Sequence, residues 1–524
     1  MNGTGKLLRL ALRLDRVRLP IWIVVLAFMP ALTAAQYKSL YPTAESLQVV
    51  GGVVSNPSLV ALNGPLFGVS LGGLTAWKIG VTELILIAVM SILTVIRHSR
   101  AEEEAGRLEL VGSAVVGRRA ALTAALLTAA VADLAVALLT ALALIGTGMP
   151  AGGSLALGLA IGATGLVFAA VAAVAAQLTE GARSASGIAF AVLGASFLAR
   201  AVGDTGPTWL SWLSPIGWGM RLRAYAGDVW WVLALAVALS AAGVAVAYLL
   251  VGRRDLGEGM LPQRPGPAVA APSLRSSLAL AWRLHRGVLI GWLIALALGG
   301  AVMGGAADAI SDSLSGNQQI TDLLTRMGGR KGLQDAYLAA VFGITGLTAA
   351  AYTVQATLRL RAEESAGRLE PLLATRTGRL RWLFSHLVFA LLGTALLLAA
   401  AGAAAGLVYG VQVHDVGGQV PRMLGDALVQ APAAWVLAGL GVALFGLVPR
   451  LAALTWAGLI DCFVLLELGT LLDLSHWVVD ASPFAHVPKL PGSEFTVTPL
   501  LWLVAIGAAL IAAGLAGFRR RDIG

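Results

Sequence analysis

Polar and apolar positions in this chain do not alternate at a strand period or ride one face of a helix. They separate into long apolar blocks and short charged intervals. Blocks of about 20 apolar residues recur throughout, each long enough to cross roughly 30 Å of hydrocarbon as a helix. Twelve spans are predicted: 19–37, 77–97, 120–146, 155–178, 184–203 and 229–251 in the first half, then 287–307, 335–358, 382–408, 427–449, 451–472 and 497–517. Alanine, glycine and leucine dominate them, which suits close packing of helices in lipid. A very apolar soluble core would need polar faces that these blocks lack. The predicted fold class is an all-α polytopic membrane protein with about 12 transmembrane helices.

The charged intervals carry the most specific pattern. Residues 100–109 read RAEEEAGRLE and residues 361–370 read RAEESAGRLE. Each copy follows an apolar block and precedes a Gly-Arg pair, Gly117-Arg118 and Gly378-Arg379. ALRLDRVRLPIW (11–22) aligns with AWRLHRGVLIGW (281–292), and GRRDLG (252–257) with RRRDIG (519–524). Ser214-Pro215 precedes the sixth span as Ser482-Pro483 precedes the twelfth. The chain therefore reads as a duplication: 1–257 is the first six-span half, 258–273 a proline-bearing linker, and 274–524 the second half. Six spans return the chain to its starting side, so the halves are expected as parallel repeats.

Each half opens with an amphipathic segment. Lys6, Arg9, Arg13 and Arg16 recur at helical spacing opposite Leu7, Leu10, Ala11 and Leu14. An interfacial N-terminal helix is expected in each half. Basic residues gather in 6–18, 97–119, 253–286, 359–381 and 519–521, all on one side of the twelve-span arrangement. The positive-inside rule makes that side cytoplasmic, with both termini in it, in a cell (plasma) membrane. No cleavable signal sequence is evident.

Composition agrees. The chain is 58% hydrophobic and 12% charged, where soluble domains are roughly one-quarter charged. The net charge of +9 lies in short intervals between spans, which argues against a nucleic-acid surface. Arginine outnumbers lysine, which fits a GC-rich bacterial source. The single cysteine, Cys462, can form no intrachain disulfide.

On a helix, Glu103 and Arg107, Arg100 and Glu104, and Glu364 and Arg368 are four apart. Such pairs contribute only a few tenths of a kcal/mol. Gly106 and Gly367 cost about 1 kcal/mol each in a helix, so they are expected to admit another backbone. The string is thus read as a docking element for a cytoplasmic partner, with a salt-bridged turn as the plainer alternative. The residues assigned to docking are Arg100, Glu102, Glu103, Gly106, Arg107 and Glu109, and in the second copy Arg361, Glu363, Glu364, Gly367, Arg368 and Glu370.

The EExxGRLE string between a second and a third span resembles the coupling-helix region of ABC-2-type exporter permeases. The resemblance is closest to the fused twelve-span actinobacterial exporters of polyketide antibiotics and multidrug efflux permeases. SPIGWGMRLRAY (214–225), SPFAHVPKLPG (482–492) and the two RRD endings resemble that group as well. The resemblance implies a permease that hydrolyses no ATP itself. It implies two copies of a separate ABC ATPase subunit that bind ATP and Mg, and an amphipathic or apolar substrate such as an antibiotic. The five lysines agree, since none stands in a Gly-Lys-Ser/Thr P-loop.

Other motifs are weaker. GVSLG (68–72) fits a nucleophile elbow by pattern but sits in an outer loop. The six histidines show no metal-ligand spacing. Ionisable residues inside spans are expensive, so Asp133, Asp461, Glu83 and Glu467, with the polar Gln355, are candidates for a translocation path. Interhelical hydrogen bonds are the alternative. Trp209, Trp212, Trp218, Trp230 and Trp231 are expected as an outer aromatic belt. The rival functional readings are a proton-coupled carrier using Asp133 or Asp461, and a non-transporting scaffold for an ATPase.

Overall fold

Where the sequence is apolar and free of breakers, the chain is helical, because helices satisfy every backbone polar group within one segment. The computed structural model describes all residues except 1–2, 42, 44–45, 49–56, 109–115, 256, 262–267, 270, 272–273, 315–328, 469–474, 494 and 523–524. None of the described residues lies in a strand. The chain divides into two compact units, Met1–Gly266 and Pro267–Gly524.

The first unit contains α1 (Thr4–Leu14), α2 (Arg18–Leu40), α3 (Pro57–Asn63), α4 (Leu71–His98), α5 (Arg100–Glu104), α6 (Ala120–Gly146), α7 (Ala151–Leu178), α8 (Ala182–Thr205), α9 (Trp209–Trp212), α10 (Pro215–Arg221) and α11 (Val232–Arg253). The second contains α12 (Ser277–Leu314), α13 (Gly329–Ser365), α14 (Leu369–Leu373), α15 (Arg379–Gln412), α16 (Val416–Leu428), α17 (Ala431–Leu447), α18 (Thr455–Leu468), α19 (His476–Val479) and α20 (Val497–Arg520).

Eleven helices among the described residues are long and apolar enough to cross a membrane. Twelve spans are predicted from the sequence. The difference falls at 451–472, where a 3-10 turn over Pro449–Leu454 precedes α18, a helix of 14 residues. That is about 21 Å of helix within the described residues. Residues 469–472 lie outside the described set.

In the first unit α7 is central, packed by α4, α6, α8 and α11. Leu84, Ile87, Val95, Val136, Ile161 and Phe168 fill the space between them. In the second unit α15 packs against α12, α13 and α16, and α17 packs against α20. The α17–α20 seam rests on Gly439 and Gly446, which face Gly507 and Gly514. A Cβ on Gly439 would lie 2.8 Å from the Gly507 carbonyl oxygen, and one on Gly446 would run into the Gly514 carbonyl. Lipid supplies no hydrophobic drive between helices, so this backbone approach is the source of contact energy.

The two units open differently. α1 stops at Leu14 and α2 restarts at Arg18, whereas the equivalent basic segment of the second unit runs unbroken into α12, 38 residues long. A separate N-terminal helix, expected in both halves, therefore forms only in the first. Pro20 is the cause, since it has no N–H to donate and its ring clashes with the preceding turn; the aligned residue is Ile290. At the break, Asp15 takes His98 Nε2 at 2.5 Å and Arg97 Nε at 3.2 Å. Its counterpart His285 instead meets His386, Nε2 to Nδ1, at 2.9 Å.

The far end of the first unit, opposite the charged string, is capped by polar bonds. Fully buried Arg200 donates to the carbonyls of Ala61 (2.8 Å) and Leu62 (3.1 Å) at the end of α3, and pairs with Asp204. Asp204 also holds Arg221 at 3.2 Å and Ser211 at 2.6 Å. Trp212 and Trp231 stack with centroids 5.6 Å apart. Tyr225 rests against Gly72 and Gly153 and bonds Ser154 Oγ at 2.9 Å. Burial, with the Asp228 charge behind it, pushes the Tyr225 phenol up to about 12 despite the Ser154 bond.

Candidate functional site

α4 delivers the first string to the foot of the unit. Ser99 breaks the helix with φ −123° and ψ −84°, and α5 follows for one turn and a half. Gly106 then turns the chain in the left-handed region (φ 71°), and Gly367 does the same in the second string (φ 67°). None of the described residues comes within 4 Å of a Cβ built at either glycine. The glycines therefore serve the backbone conformation, which costs other residues about 1–2 kcal/mol. Among the described residues, no other backbone makes the close approach expected from the sequence.

The turn also changes the pairing. The i,i+4 pairs expected from a continuous helix, Glu103–Arg107, Arg100–Glu104 and Glu364–Arg368, do not form. Arg107 folds back across the turn and donates two bonds to Glu102, at 2.6 and 2.8 Å. Arg368 reaches Glu363 the same way at 2.6 Å, with Arg359 on the same carboxylate at 2.8 Å. Arg100 pairs with Glu103 at 2.9 Å, and Arg361 with Glu364 at 3.1 Å. The helix ends before the fourth residue comes round, so the partners shift to i,i+3 and i,i+5.

The fourth residue of each string carries a longer connection. The Glu103 carboxylate receives both terminal nitrogens of Arg254, 151 positions away, at 2.6 and 2.8 Å. The Gly257 N–H adds a third donor at 2.8 Å. Arg254 Nε donates to Gln177 Oε1 at 2.8 Å. Arg100, 1% exposed, donates to the carbonyls of Glu180 (2.8 Å) and Gly257 (3.1 Å). Glu104 accepts the Ala182 N–H at 2.7 Å, where α8 begins. Arg118 donates to the Arg254 carbonyl. A cavity of about 360 Å³ opens beside this cluster, between Arg100, Arg118, Gln177 and Arg254.

The second unit repeats the connection. Glu364 pairs with Arg521 at 2.7 Å. Arg521 aligns with Arg254 in the two RRD endings. Arg379, the counterpart of Arg118, donates to the Arg521 carbonyl at 2.8 Å. The edge of each string left open is the turn itself: Glu104, Ala105 and Arg107 in the first, Ser365 to Arg368 and then Glu370 in the second. Glu109 lies outside the described residues.

The candidate path residues belong to both units: Glu83 and Asp133 to the first, Gln355, Asp461 and Glu467 to the second. Glu83 is fully buried in α4, and neither carboxylate oxygen meets a hydrogen-bond donor among the described residues. Asp133, also fully buried, accepts Ser91 Oγ–H at 2.7 Å and lies against Gly165 of α7. Gln355 accepts the Trp292 indole N–H at 2.8 Å. Asp461 is exposed on α18. The Glu467 side chain lies outside the described set.

Sequence reasoning missed Arg254 and Arg521 as partners of the strings, and Arg118 and Arg379 as donors to the carbonyls of those arginines. Their signal was present, since RRD and Gly-Arg each occur twice. Arg200 was missed altogether; it ends an apolar block and reads as a flank.

Residues 5–247 and 274–519 match the family model described as the multidrug efflux system permease Rv1217c, C-terminal domain. The chain is 47% identical over 525 residues to the multidrug efflux system permease protein Rv1217c of Mycobacterium tuberculosis (strain ATCC 25618 / H37Rv). That match covers 100% of this chain and 95% of the relative. With its apolar helices and its charged feet, the chain belongs to the Rv1217c family of multidrug efflux permeases.

Proposed function

We propose that this chain is the membrane-spanning subunit of an ATP-driven ABC-2-type exporter. Two copies of a separate ATPase subunit bind the two strings from the cytoplasm, where both termini also lie, at the cell membrane. ATP and Mg are held by those subunits. The substrate is an amphipathic or apolar small molecule, drug-like or antibiotic, taken from the cytoplasm or inner leaflet. ATP binding favours one state of the assembly over another, and that difference in affinity drives the path open.

One observation carries the reading. Each unit presents nearly the same charged string at its foot, with its inner carboxylates held by the unit and its glycine turn left to solution. A salt-bridged turn has no need of the same Ala-Gly-Arg at its outer edge in both copies. The decisive experiment is purification from native membranes of wild type and of Ala105→Arg plus Ala366→Arg. Both alanines are exposed, so the change obstructs docking and spares the inner pairs. An ATPase subunit recovered with wild type and lost with the variant supports the proposal. A wild-type chain that comes out stable and alone sinks it.

A further inference from the structure

We propose that Arg254 and Arg521 are positioning residues, each fastening the charged string of its unit to the last helix of that unit, so that string and helix foot move as one body. The transport half of this proposal rests on the docking role of the strings; the tether itself does not.

The argument begins with connectivity. Each string lies between the second and third spans, and each arginine lies at the end of the sixth. Nothing in the covalent chain brings them together; the pairing is purely tertiary. It is nonetheless made twice, between aligned residues: Glu103 with Arg254, and Glu364 with Arg521. The side chains are sheltered, at 11% and 6% exposure in the first unit and 19% and 11% in the second. Shielding from water and salt keeps such a pair strong. In the first unit the contact is a two-pronged guanidinium fork, which fixes orientation as well as distance.

A second strut runs parallel to the first. Arg118 and Arg379, just after each string, donate to the backbone carbonyls of Arg254 and Arg521 themselves. A carbonyl at a helix C-terminus lacks an intrahelical partner, and here the segment following the string supplies one. Each string is thus tied to the last helix at a side chain and at the backbone. Glu104, by contrast, gives α8 a single bond. Apart from the helix that carries each string in the chain, a load on the string is delivered first to α11 or α20.

The test uses nitroxide pairs on a Cys462→Ala background, at Ala105 with Arg253 and at Ala366 with Arg520, all exposed positions. A reference pair sits at Leu127 and Leu155 on α6 and α7. Wild type should give one narrow distance for every pair. Arg254→Ala should broaden the first and Arg521→Ala the second, with the reference pair still narrow. Arg254→Lys keeps the charge without the fork and should broaden the first pair less. In the reconstituted complex, substrate moved per ATP should fall about 10-fold in Arg254→Ala, the size of an ordinary coupling free energy, with the ATPase subunit still bound. Narrow distances in the alanine variants would overturn the proposal, as would an unchanged ratio of substrate to ATP. A reference pair that broadens equally would show a general loss of fold and overturn the positioning role. If no ATPase subunit accompanies wild type, the exporter reading fails, and the distances still decide the tether.

Discussion

Replacing Gly439 by alanine gives a measurable account of how the second unit holds together. The added Cβ would lie 2.8 Å from the Gly507 carbonyl oxygen and 2.9 Å from Leu510 Cβ. A carbon–oxygen contact normally settles at roughly 3.3 Å, so α17 and α20 must part by about 0.5 Å. A gap of that size forfeits about a quarter of each dispersion well along the seam. Overpacking of this kind costs about 1–3 kcal/mol. Alanine returns about 1 kcal/mol of helix propensity, leaving a net loss of up to about 2 kcal/mol. Gly446→Ala meets the Gly514 backbone more closely and should lose more. Gly291 in α12 has nothing within 4 Å of its Cβ position, so Gly291→Ala should gain up to about 1 kcal/mol. Thermal unfolding of the detergent-purified protein, followed by size-exclusion fluorescence, ranks the three. The expected order of Tm is Gly291→Ala, wild type, Gly439→Ala, Gly446→Ala. Equal Tm for the two seam variants and wild type would refute glycine contact as the source of α17–α20 packing.

Arg200→Ala should cost about 3–5 kcal/mol, since it leaves Asp204 short of a buried partner and strips the end of α3; a Tm within a degree of wild type would contradict this. Glu83→Gln should leave Tm unchanged or raise it, because the buried carboxylate meets no donor among the described residues. A clear drop would mean that the charge has a partner. Gly106→Asn should be tolerated, because asparagine visits the left-handed region. Gly106→Val should lose about 1–2 kcal/mol locally and reduce recovery of an ATPase subunit, and equal recovery of that subunit with both variants would argue against a shaped turn.

The helices were legible because length and apolarity alone decide what crosses a membrane, and the charged strings stood out against so little polar sequence. Local context limited the rest. Pro20 reads as one proline near a helix start, yet it decides that α1 is separate while the second unit begins with an unbroken helix. Gly106 and Gly367 read as helix weakeners, but only the backbone angles show that they end the helix and redirect Arg107 and Arg368. The expected span at 451–472 is apolar enough, but Pro449 and a 3-10 turn put the start of its helix at Thr455. Arg254 and Glu103 illustrate the general limit: two charges 151 positions apart carry no period or spacing that marks them as partners.

The differing feet of the two units have a genetic consequence. A carriage built from two identical subunits must place the same residues at both entrances, because every substitution appears twice. Here Asp15 meets His98 in one unit, and His285 meets His386 in the other. A single reading frame encoding both copies frees each foot to drift alone. One substitution can therefore alter one foot and leave its twin untouched, and a molecule that began as a pair of equals can come to have a left hand and a right.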